Sequence, residues 1–379
     1  MGAKAKAVEL LAEAGLRING GNPWDPKVHD ERLYDRIFSG GTLALGESYM
    51  DGWWDTDDLS GFVSRLFHRG AATKLLGMGM ATQVLKSKLL NLQNRDRAKR
   101  MGEYVYDAGN DLFEKVLGPS MAYTCGYWSS PVSEVTTLDE AQEAKFDLIC
   151  RKLGLAPGDR ILDIGCGWGN FLAYAAKKYG VSGVGITISK EQMAFAREVT
   201  RGLDVEIRLE DYRDTVGQFD HIVSIGMFEH VGPKNYRVFM EKVRSLLSDD
   251  GLFLLHTIGH SKTTVGLEPW FNKYIFPNGH LPSMAQITKA ADRRWPGEAT
   301  LIMEDWHNFG PDYDKTLCAW QANFERAWPK LQNSHDERFH RMWNYYLLVS
   351  AGMFRARYVH LWQIVYSKYG VEGGYTSVR

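Results

Sequence analysis

Residues 160–180 read RILDIGCGWGNFLAYAAKKYG, and this stretch decides the fold. Its first apolar residues, Ile161, Leu162 and Ile164, form the short run typical of a strand buried in a parallel sheet. Three glycines at alternate positions follow, and the apolar residues after them recur at helical spacing. A second apolar run, VSGVGITIS at 181–189, begins after a helix of ordinary length. This order of strand, glycine turn, helix and strand predicts a βαβ unit.

The glycine turn carries the pattern D-x-G-x-G-x-G at 163–169. Glycines in such a turn let backbone N–H groups come close to a ligand at the N-terminus of the following helix. NAD-binding turns carry G-x-G-x-x-G instead, and the third glycine of that pattern is missing here. Asp163 lies at the strand end, where its carboxylate can order the loop and face a cationic ligand. The pattern favours S-adenosylmethionine over NAD and leaves a generic nucleotide-fold turn as the alternative.

Length and composition limit the classes of protein to consider. The 379 residues exceed the roughly 250–300 at which a single core stops growing, so more than one structural unit is expected. A net charge of −1 argues against nucleic-acid binding through bulk charge. The cysteines are too widely spaced for a C-x-x-C pair or a zinc site, so no metal is predicted and a reduced, cytosolic compartment fits best. They are Cys125, Cys150, Cys166 and Cys318.

The hydropathy pattern bears on membranes. The N-terminus MGAKAKAVELLAEAGL has no apolar run of signal-peptide length. No stretch of about 18 apolar residues occurs, so the chain is expected not to span a membrane. It could still act on one.

The chain is predicted to have three parts. Residues 1–85 form a small, mostly helical N-terminal domain, in which Trp53 and Trp54 are interpreted as core aromatics rather than a recognition surface. Residues 86–103 form a basic linker, since six basic residues stand against one acidic residue between 86 and 100. A solvated linker helix and a membrane-surface contact are equally good interpretations of it. Residues 104–379 form the catalytic domain.

Further strands and helices complete the predicted fold. Seven strands alternating with helices make an α/β fold with a doubly wound sheet, the fold class of S-adenosylmethionine-dependent methyltransferases. Residues 258–298 form an insertion that is expected to act as a lid beside the carboxyl ends of the strands. The remaining strands are expected at 204–209, 221–225, 252–257, near 299–304 and at 359–367, with helices at 138–153, 190–200 and 235–247.

A series of motifs in one order resembles the cyclopropane-fatty-acid synthases (cyclopropane-fatty-acyl-phospholipid synthases). The resemblance covers nearly the whole chain, and members of that family also have a small helical domain before the methyltransferase domain. The motifs are YDAGNDLF at 106–113, YTCGYW at 123–128, DIGCGWG at 163–169, GITIS at 185–189, MFEHVGPKNY at 227–236, LLHTIG at 254–259, PWFNKYIFPNG at 269–279, EDWHNFGPDYD at 304–314 and AGMFRARYVHLWQ at 351–363.

The resemblance implies methyl transfer from S-adenosylmethionine to the cis double bond of an unsaturated phospholipid acyl chain. Attack of the alkene on the sulfonium methyl leaves a carbocation, and loss of a proton closes the cyclopropane. The family holds a bicarbonate ion as the base, and its ligands fall on Cys125, Glu229, His256 and Tyr313, with the backbone N–H of Ile258 in reach. It further implies a homodimer. From the cysteines and the basic stretch we expect the protein in the cytoplasm, peripherally associated with the inner face of the membrane.

The roles of Glu229 and His256 can also be interpreted from their positions in the sequence alone. Glu229 follows the apolar run IVSIGMF at the carboxyl end of a strand, where it could be a general base or could orient one. His256 ends another strand after two leucines, and a lone histidine there is often structural. With both residues at adjacent strand ends, the functional interpretation is favoured. Two bare negative charges would repel in a dry site, so we expect Glu229 protonated or His256 charged when bicarbonate binds.

The other predicted anion ligands, Tyr313 and Cys125, could also have purely structural roles. Tyr313 can donate a hydrogen bond or offer its ring to a cation, or it can simply pack in a loop. Cys125 can be a small buried residue, although its neighbours favour a place in the site. Some family members carry a cysteine where this sequence has Ser350, so a covalent cysteine mechanism at that position is not available here.

Cofactor contacts are predicted at three places besides Asp163. Gly165 and Gly167 would approach the methionine portion, and the segment at 123–124 would close over it. Residues after the second and third strands would face the ribose and the adenine, although the usual ribose-binding acid is absent from the family and from this chain. Tyr106 is a weaker candidate. The remaining candidates are Tyr123, Thr124, Thr187, Gln192, Asp211 and Tyr212.

Two alternatives remain, of which the second belongs to another class of protein. A related methyltransferase could act on a small soluble amine or hydroxyl, but it would need neither an acyl tunnel nor a lipid-facing domain. A catalytically silent membrane-surface protein could retain the fold, and the intact set of predicted ligands argues against it. A methyl branch or a methylene group are other products to consider.

Overall fold

The computed structural model describes residues 2–68, 70, 110–129, 134–264, 266–292 and 301–379. The predicted basic linker at 86–103 and the candidate Tyr106 lie outside these residues. Two compact units can be distinguished. The first comprises Met1–Asn91, Thr264–Gly279 and Tyr313–His360, and the second comprises Leu92–Thr263, His280–Asp312 and Leu361–Arg379.

The described helices and strands follow in chain order. The N-terminal elements are α1 (Ala3–Glu13), β1 (Lys27–Val28), α2 (Leu33–Met50), β2 (Trp54–Asp55) and α3 (Leu59–His68). The central elements are α4 (Asn110–Leu117), α5 (Leu138–Leu153), β3 (Arg160–Ile164), α6 (Asn170–Tyr179), β4 (Ser182–Thr187), α7 (Lys190–Val199), β5 (Val205–Leu209), β6 (Phe219–Ile225), α8 (Tyr236–Leu246) and β7 (Leu247–His260). The last are α9 (Pro269–Tyr274), α10 (Met284–Ala291), β8 (Ile302–Asn308), α11 (Pro311–Leu331), α12 (Glu337–Arg355) and β9 (Val359–Ser367).

A seven-stranded sheet forms the centre of the second unit, in the order β5-β4-β3-β6-β7-β9-β8. The strands from β5 to β7 pair in parallel. The strand order reverses direction beside β3, so the ends of β3 and β6 flank the crevice in which such sheets bind ligands. The predicted seven-stranded α/β sheet is confirmed. One feature differs from a fully parallel sheet, because β8 pairs antiparallel with β9 at the edge.

Strand β7 is longer than its apolar core suggested. It runs from Leu247 to His260, whereas the sequence predicts only 252–257. The first part of β7 contains the polar run SDDG at 248–251, which has no apolar strand pattern. The register between β6 and β7 also shifts in this part of the strand. At its other end β7 continues four residues past His256. His256 is therefore within the strand and not at its end.

Helix α5 begins and ends with strong local signals. The Thr137 side chain accepts a hydrogen bond from the Glu140 backbone N–H, and the Glu140 carboxylate accepts one from the Thr137 N–H at 2.9 Å. This capping box satisfies backbone donors that the first helical turn leaves open. Gly154 ends the helix in the left-handed conformation. The helix predicted at 138–153 is confirmed.

The N-terminal segment is mostly helical within the first unit. Trp54 is buried, and its indole N–H donates to the Leu45 carbonyl at 3.1 Å, which confirms it as a core residue. Trp53 is only partly buried and lies under the guanidinium groups of Arg32 and Arg36. The predicted boundaries of the N-terminal domain at residue 85 and of the linker at residue 103 stay predictions. The first compact unit also contains two later segments of the chain.

No described helix combines the length and the apolar character needed to cross a bilayer. The inserted segment at 258–298 contains α9 and α10, and its role as a lid stays a prediction.

Candidate active site

The glycine turn lies between β3 and α6, as predicted. Gly165 and Gly167 have φ values of 88° and 54°, a region that residues with a Cβ atom rarely adopt. A Cβ atom at Gly165 would lie 2.7 Å from Cβ of Met227, closer than real side chains pack. The turn therefore depends on glycine for its conformation and for its close packing. It exposes the backbone at the N-terminus of α6 to a ligand.

Asp163 precedes this turn and is buried within β3. Burial raises the pKa of its carboxyl to about 7, although the nearby charge of Lys145 opposes the shift. Its Oδ1 atom has no hydrogen-bond partner among the described residues. A buried carboxylate with an open oxygen fits the predicted role of facing a cationic ligand.

The segment 123–127 lies against α5. Thr124 accepts two hydrogen bonds from that helix, from Nζ of Lys145 to its hydroxyl and from Nε2 of Gln142 to its carbonyl, both at 2.8 Å. The thiol of Cys125 is fully buried and donates to the Gly126 carbonyl at 3.1 Å. The ring of Tyr123 is only partly buried and meets the edge of the Phe113 ring at 5.3 Å between centroids.

Gly226 brings this segment next to the end of β6. A Cβ atom at Gly226 would lie 2.6 Å from the methyl group of Thr124. The Gly226 backbone N–H donates to the His256 carbonyl at 2.9 Å. The predicted residues Thr124 and His256 thus both contact the glycine that follows β6, and Cys125 is the residue after Thr124.

The candidates on the ribose and adenine side already have protein partners. Thr187 ends β4, and its hydroxyl donates to Oε1 of Gln192 at 2.9 Å, which leaves the Gln192 amide group available as a donor. The carboxylate of Asp211 binds the Arg213 guanidinium at 2.8 Å. The ring of Tyr212 is buried and meets the edge of the Phe239 ring. Their contacts with adenosine stay a prediction.

Glu229 lies in a short 3-10 helix after β6 and contacts the neighbouring strand. Its Oε1 atom accepts a hydrogen bond from the Ile258 backbone N–H at 2.7 Å. Its Oε2 atom is buried without a partner among the described residues. Burial raises the pKa of Glu229 to about 7, and hydrogen bonds including the one from Ile258 limit the shift. The group can therefore hold or release a proton near neutral pH.

His256 is 1% exposed and lies in β7 opposite Ile225 of β6. Burial lowers its pKa well below the ordinary value, and the charges of Lys145 and Lys152 act in the same direction. Nε2 of Gln363 lies 3.3 Å from Nδ1 of His256. An amide N–H donating to Nδ1 leaves the ring proton on Nε2, which has no partner among the described residues. In this tautomer His256 is a neutral donor.

Tyr313 lies in the first compact unit, near the start of α11. Its ring is largely buried and packs on the ring of Phe354 at 4.5 Å between centroids. The next residue, Asp314, forms two hydrogen bonds with the Arg355 guanidinium at 2.8 and 3.0 Å, which fixes this part of α11 on α12. Its place among the anion ligands stays a prediction.

Sequence reasoning missed three polar residues that contact the predicted site residues. Gln142 and Lys145 lie on an amphipathic helix, where such side chains are ordinarily exposed. Gln363 is the last residue of the quoted motif at 351–363, so its place in that motif could have marked it as a candidate site residue. All three are fully buried.

Comparison with known proteins agrees with these features. A family model described as mycolic acid cyclopropane synthetase matches residues 93–364. The cyclopropane-fatty-acyl-phospholipid synthase of Escherichia coli strain K12 is 50% identical over 374 residues, which cover 98% of this chain and 95% of that protein. Tuberculostearic acid methyltransferase UfaA1 of Mycobacterium tuberculosis is 31% identical over 378 residues, covering 94% of this chain and 86% of that protein.

A solved structure is also similar. The mycolic acid cyclopropane synthase CmaA1, complexed with SAH and CTAB, superposes with a TM-score of 0.63 and 32% identity, covering 71% of this chain and 98% of that one. The match of the family model over most of the chain, together with these relatives, decides the assignment: the chain belongs to the mycolic acid cyclopropane synthetase family of S-adenosylmethionine-dependent methyltransferases.

Proposed function

We propose that this chain transfers a methylene group from S-adenosylmethionine to the cis double bond of unsaturated phospholipid acyl chains and so forms a cyclopropane ring. The strongest support is the 50% identity, over 98% of the chain, to an Escherichia coli protein named for that activity. S-adenosylmethionine, when bound, would supply the methyl group. The residues that would hold it are Tyr123, Thr124, Asp163, Gly165, Gly167, Thr187, Gln192, Asp211 and Tyr212.

The polar atoms around Glu229 and His256 support a small oxyanion there. Oε2 of Glu229 and Nε2 of His256 are buried, and neither has a partner among the described residues. An unpaired buried polar atom is costly, so two such atoms suit a ligand that forms a hydrogen bond with each. We propose that bicarbonate is this ligand and that Cys125, Glu229, His256 and Tyr313 hold it, while the Ile258 N–H, which donates to Oε1 of Glu229, orients that carboxyl for the anion. Bicarbonate, when bound, would supply the base.

The electrostatics favour Glu229 as the residue that carries the extra proton. A carboxylate beside an anion in a dry site would be strongly repelled, so one of the groups must be protonated. Burial raises the pKa of Glu229 to about 7, while it lowers that of His256 well below its ordinary value. Glu229 would therefore present an O–H and His256 a neutral N–H. Both are then donors, which an anion requires.

The reaction needs little more from the protein than positioning and the exclusion of water. An uncharged alkene attacks the methyl group without activation by a nucleophile, so the absence of a cysteine at Ser350 is consistent with this chemistry. The residues hold the two substrates in the reactive arrangement and keep water from the carbocation. The buried state of Cys125, Glu229 and His256 supports a dry site.

The substrate places the enzyme at a membrane. Each CH₂ group moved from water into an apolar environment is worth about 0.8 kcal/mol, so drawing a sixteen-carbon chain into water would cost roughly 13 kcal/mol. We therefore propose that the acyl chain passes directly from the bilayer into an apolar channel, with the segment 258–298 as its lid. We further propose a homodimer in the cytoplasm that associates peripherally with the inner face of the membrane.

Labelled cofactor tests the proposal directly. The purified protein is incubated with vesicles of an unsaturated phospholipid and S-adenosylmethionine carrying a labelled methyl group, and the lipids are analysed by mass spectrometry. We expect labelled acyl chains heavier by one CH₂ group. Vesicles of a fully saturated phospholipid are the matched control and should stay unlabelled. Label in a soluble amine or hydroxyl compound, with none in lipid, would contradict the proposal.

A methylated but uncyclised product is the second candidate, because UfaA1, a relative at 31% identity, is named a methyltransferase of tuberculostearic acid. Ozonolysis of the labelled lipid distinguishes the products. A cyclopropane resists cleavage, a methylene group is cleaved, and a saturated methyl branch adds two further hydrogens in mass. We expect the resistant product, since the relative at 50% identity is named for it.

A further inference from the structure

Thr124 is held on three sides by other parts of the second unit. Its hydroxyl accepts a hydrogen bond from Nζ of Lys145, and its carbonyl accepts one from Nε2 of Gln142, both at 2.8 Å. Its methyl group lies against Gly226, where even a Cβ atom would approach to 2.6 Å. The side chain and the backbone of this one residue are thus fixed together.

The residues after Thr124 lie along the same face of α5. Tyr127 donates its backbone N–H to the Ala141 carbonyl at 2.8 Å. A Cβ atom at Gly126 would lie 2.8 Å from Cβ of Ala141, so this backbone runs directly on the helix. Three residues of α5, Ala141, Gln142 and Lys145, therefore form one surface that carries the segment 124–127.

Lys145 is an unusual member of this surface, because it is a fully buried lysine. Removing an ammonium group from water is costly unless charged or polar partners replace the water. Its described contacts are the Thr124 hydroxyl and the ring of Phe146, with Nζ at 4.3 Å from the ring centroid. Burial lowers the pKa of Lys145 to about 7, while electrostatic interactions with the Cys125 and Asp163 side chains oppose that shift. A lysine buried at this cost, with a hydrogen bond to Thr124, points to a role beyond packing.

We propose that Lys145 is a positioning residue for the cofactor, which it serves by holding the hydroxyl of Thr124 and with it the segment that closes over S-adenosylmethionine. This inference rests on the proposed contact of Thr124 with the cofactor. Lys145 itself touches no reacting atom. It acts through Thr124, so the loss of either partner of the hydrogen bond has the same consequence for the cofactor.

Lys152 supplies a matched control on the same helix. It lies seven residues, or about two helical turns, after Lys145 and is also buried. Its ammonium has different partners, with Nζ 3.1 Å from Nδ1 of His307 and 4.0 Å from Oδ2 of Asp305. Replacing Lys152 by methionine removes an equally buried charge from α5 without removing the hydrogen bond to Thr124.

A double-mutant cycle between Lys145→Met and Thr124→Val tests the inference. Both changes keep the approximate shape of the side chain and remove one partner of the bond. We measure the dissociation constant of S-adenosylmethionine by calorimetry, together with KM for the cofactor and kcat. Each single change should weaken binding by about 10-fold, and the double variant should be no weaker than either single variant. KM should rise with kcat nearly unchanged at saturating cofactor.

The controls separate positioning from stability. Lys152→Met should lower the unfolding temperature, leave cofactor affinity within about two-fold, and combine additively with Thr124→Val. Thr124→Ser keeps a hydroxyl for Lys145 and should bind the cofactor nearly as well as the original protein. This last comparison does not require that the Lys145 variant fold.

The outcomes are distinguishable. Additive effects of Lys145→Met and Thr124→Val, or equal losses in Thr124→Ser and Thr124→Val, would overturn the inference and leave the proposed function intact. Unchanged affinity in Thr124→Val would remove the proposed cofactor contact of Thr124 and the inference with it. The failure of S-adenosylmethionine to bind the original protein would instead contradict the proposed function.

Discussion

The backbone N–H of Ile258 donates a 2.7 Å hydrogen bond to Oε1 of Glu229. Family resemblance assigns both groups to the binding of one anion, yet here the donor binds the carboxyl itself. Since Oε1 accepts this bond, a proton on Glu229 belongs on Oε2, the buried oxygen without a partner among the described residues. The contact thus orients the carboxyl as well as satisfying the backbone. It turns Glu229 into a donor with a defined direction.

Glu229→Gln should abolish most of the activity. Glutamine keeps the size of the side chain, an oxygen for the Ile258 N–H and an N–H in place of the proposed O–H donor, but it can neither accept nor release a proton. We expect turnover to fall by roughly 10²–10⁴, the usual worth of general acid–base catalysis, while the dissociation constant of S-adenosylmethionine changes little. Steady-state kinetics on phospholipid vesicles and calorimetry measure the two quantities.

Ser350→Ala is the control for that variant. Ser350 is also buried, but it lies on α12 in the first unit and has no part in the proposed chemistry. We expect it to be nearly silent. Near-normal turnover of Glu229→Gln in buffer depleted of bicarbonate would show that Glu229 is not part of the acid–base system.

The raised pKa of Glu229 also predicts how stability changes with pH. The folded state holds the proton up to about pH 7, whereas the unfolded chain releases it near the ordinary value of 4.5. The folded state therefore binds more protons between these values, and its free energy of unfolding falls as the pH rises through them. Glu229→Gln lacks this dependence. The stability of the original protein relative to the variant should thus fall by on the order of 3 kcal/mol between about pH 4 and pH 8.

Thermal unfolding of the two proteins over this pH range measures the difference. Asp163 also has a raised pKa, but it is present in both proteins and its contribution cancels. A relative stability that stayed constant would mean that the pKa of Glu229 is not raised in the folded state, and one that rose with pH would mean that this pKa is lowered.

Much of the site could be predicted because it lies on strong local signals. The glycines at 163–169 have a conformation that other residues rarely adopt, so the turn is visible in the sequence. Glu229 follows an apolar strand, and a charged residue there is conspicuous. The edge strand β8 was harder, since the sequence gives no sign that β9 pairs between it and β7. Pairing between strands that are far apart in sequence depends on the tertiary fold.

The residues behind the site could not be predicted for a similar reason. Lys145 has the helical spacing of an ordinary surface lysine, and its burial depends on the segment 123–127 covering α5. Gln363 lies in a strand, and its contact with His256 is decided by the position of β9. Sequence patterns indicate which face of an element is apolar, but they do not indicate which polar side chain on that face finds a buried partner.

Gln363 is expected to set the tautomer of His256. Gln363→Glu replaces the donor to Nδ1 by an acceptor, so the ring proton should move to Nδ1 or the ring should become charged. We expect turnover to fall by about 10- to 100-fold, the usual effect of losing a group that orients an active residue. Gln363→Met, which removes the donor without adding a charge, should lose less. Equal turnover in all three proteins would show that the tautomer does not matter.

The basic segment at 86–103 is expected to guide the protein to anionic membranes. Each basic residue near an anionic leaflet contributes about 1 kcal/mol, so reversing Lys86 and Lys88 to Glu should weaken vesicle binding by roughly 30-fold or more. These residues lie outside the described part of the chain, and the prediction rests on the sequence alone. Cosedimentation with vesicles containing anionic lipid measures the change.

Lys177 and Lys178, both exposed on α6, are a control of equal charge. Their reversal to Glu should affect vesicle binding far less, because they lie outside the basic segment. The loss in the Lys86 and Lys88 variant should shrink with added salt, since the screening length falls from about 10 Å at 0.1 M to about 3 Å at 1 M. Activity on detergent-dispersed lipid should fall much less than activity on vesicles. Equal losses in the two double variants would mean that overall charge, and not this segment, attracts the protein to the bilayer.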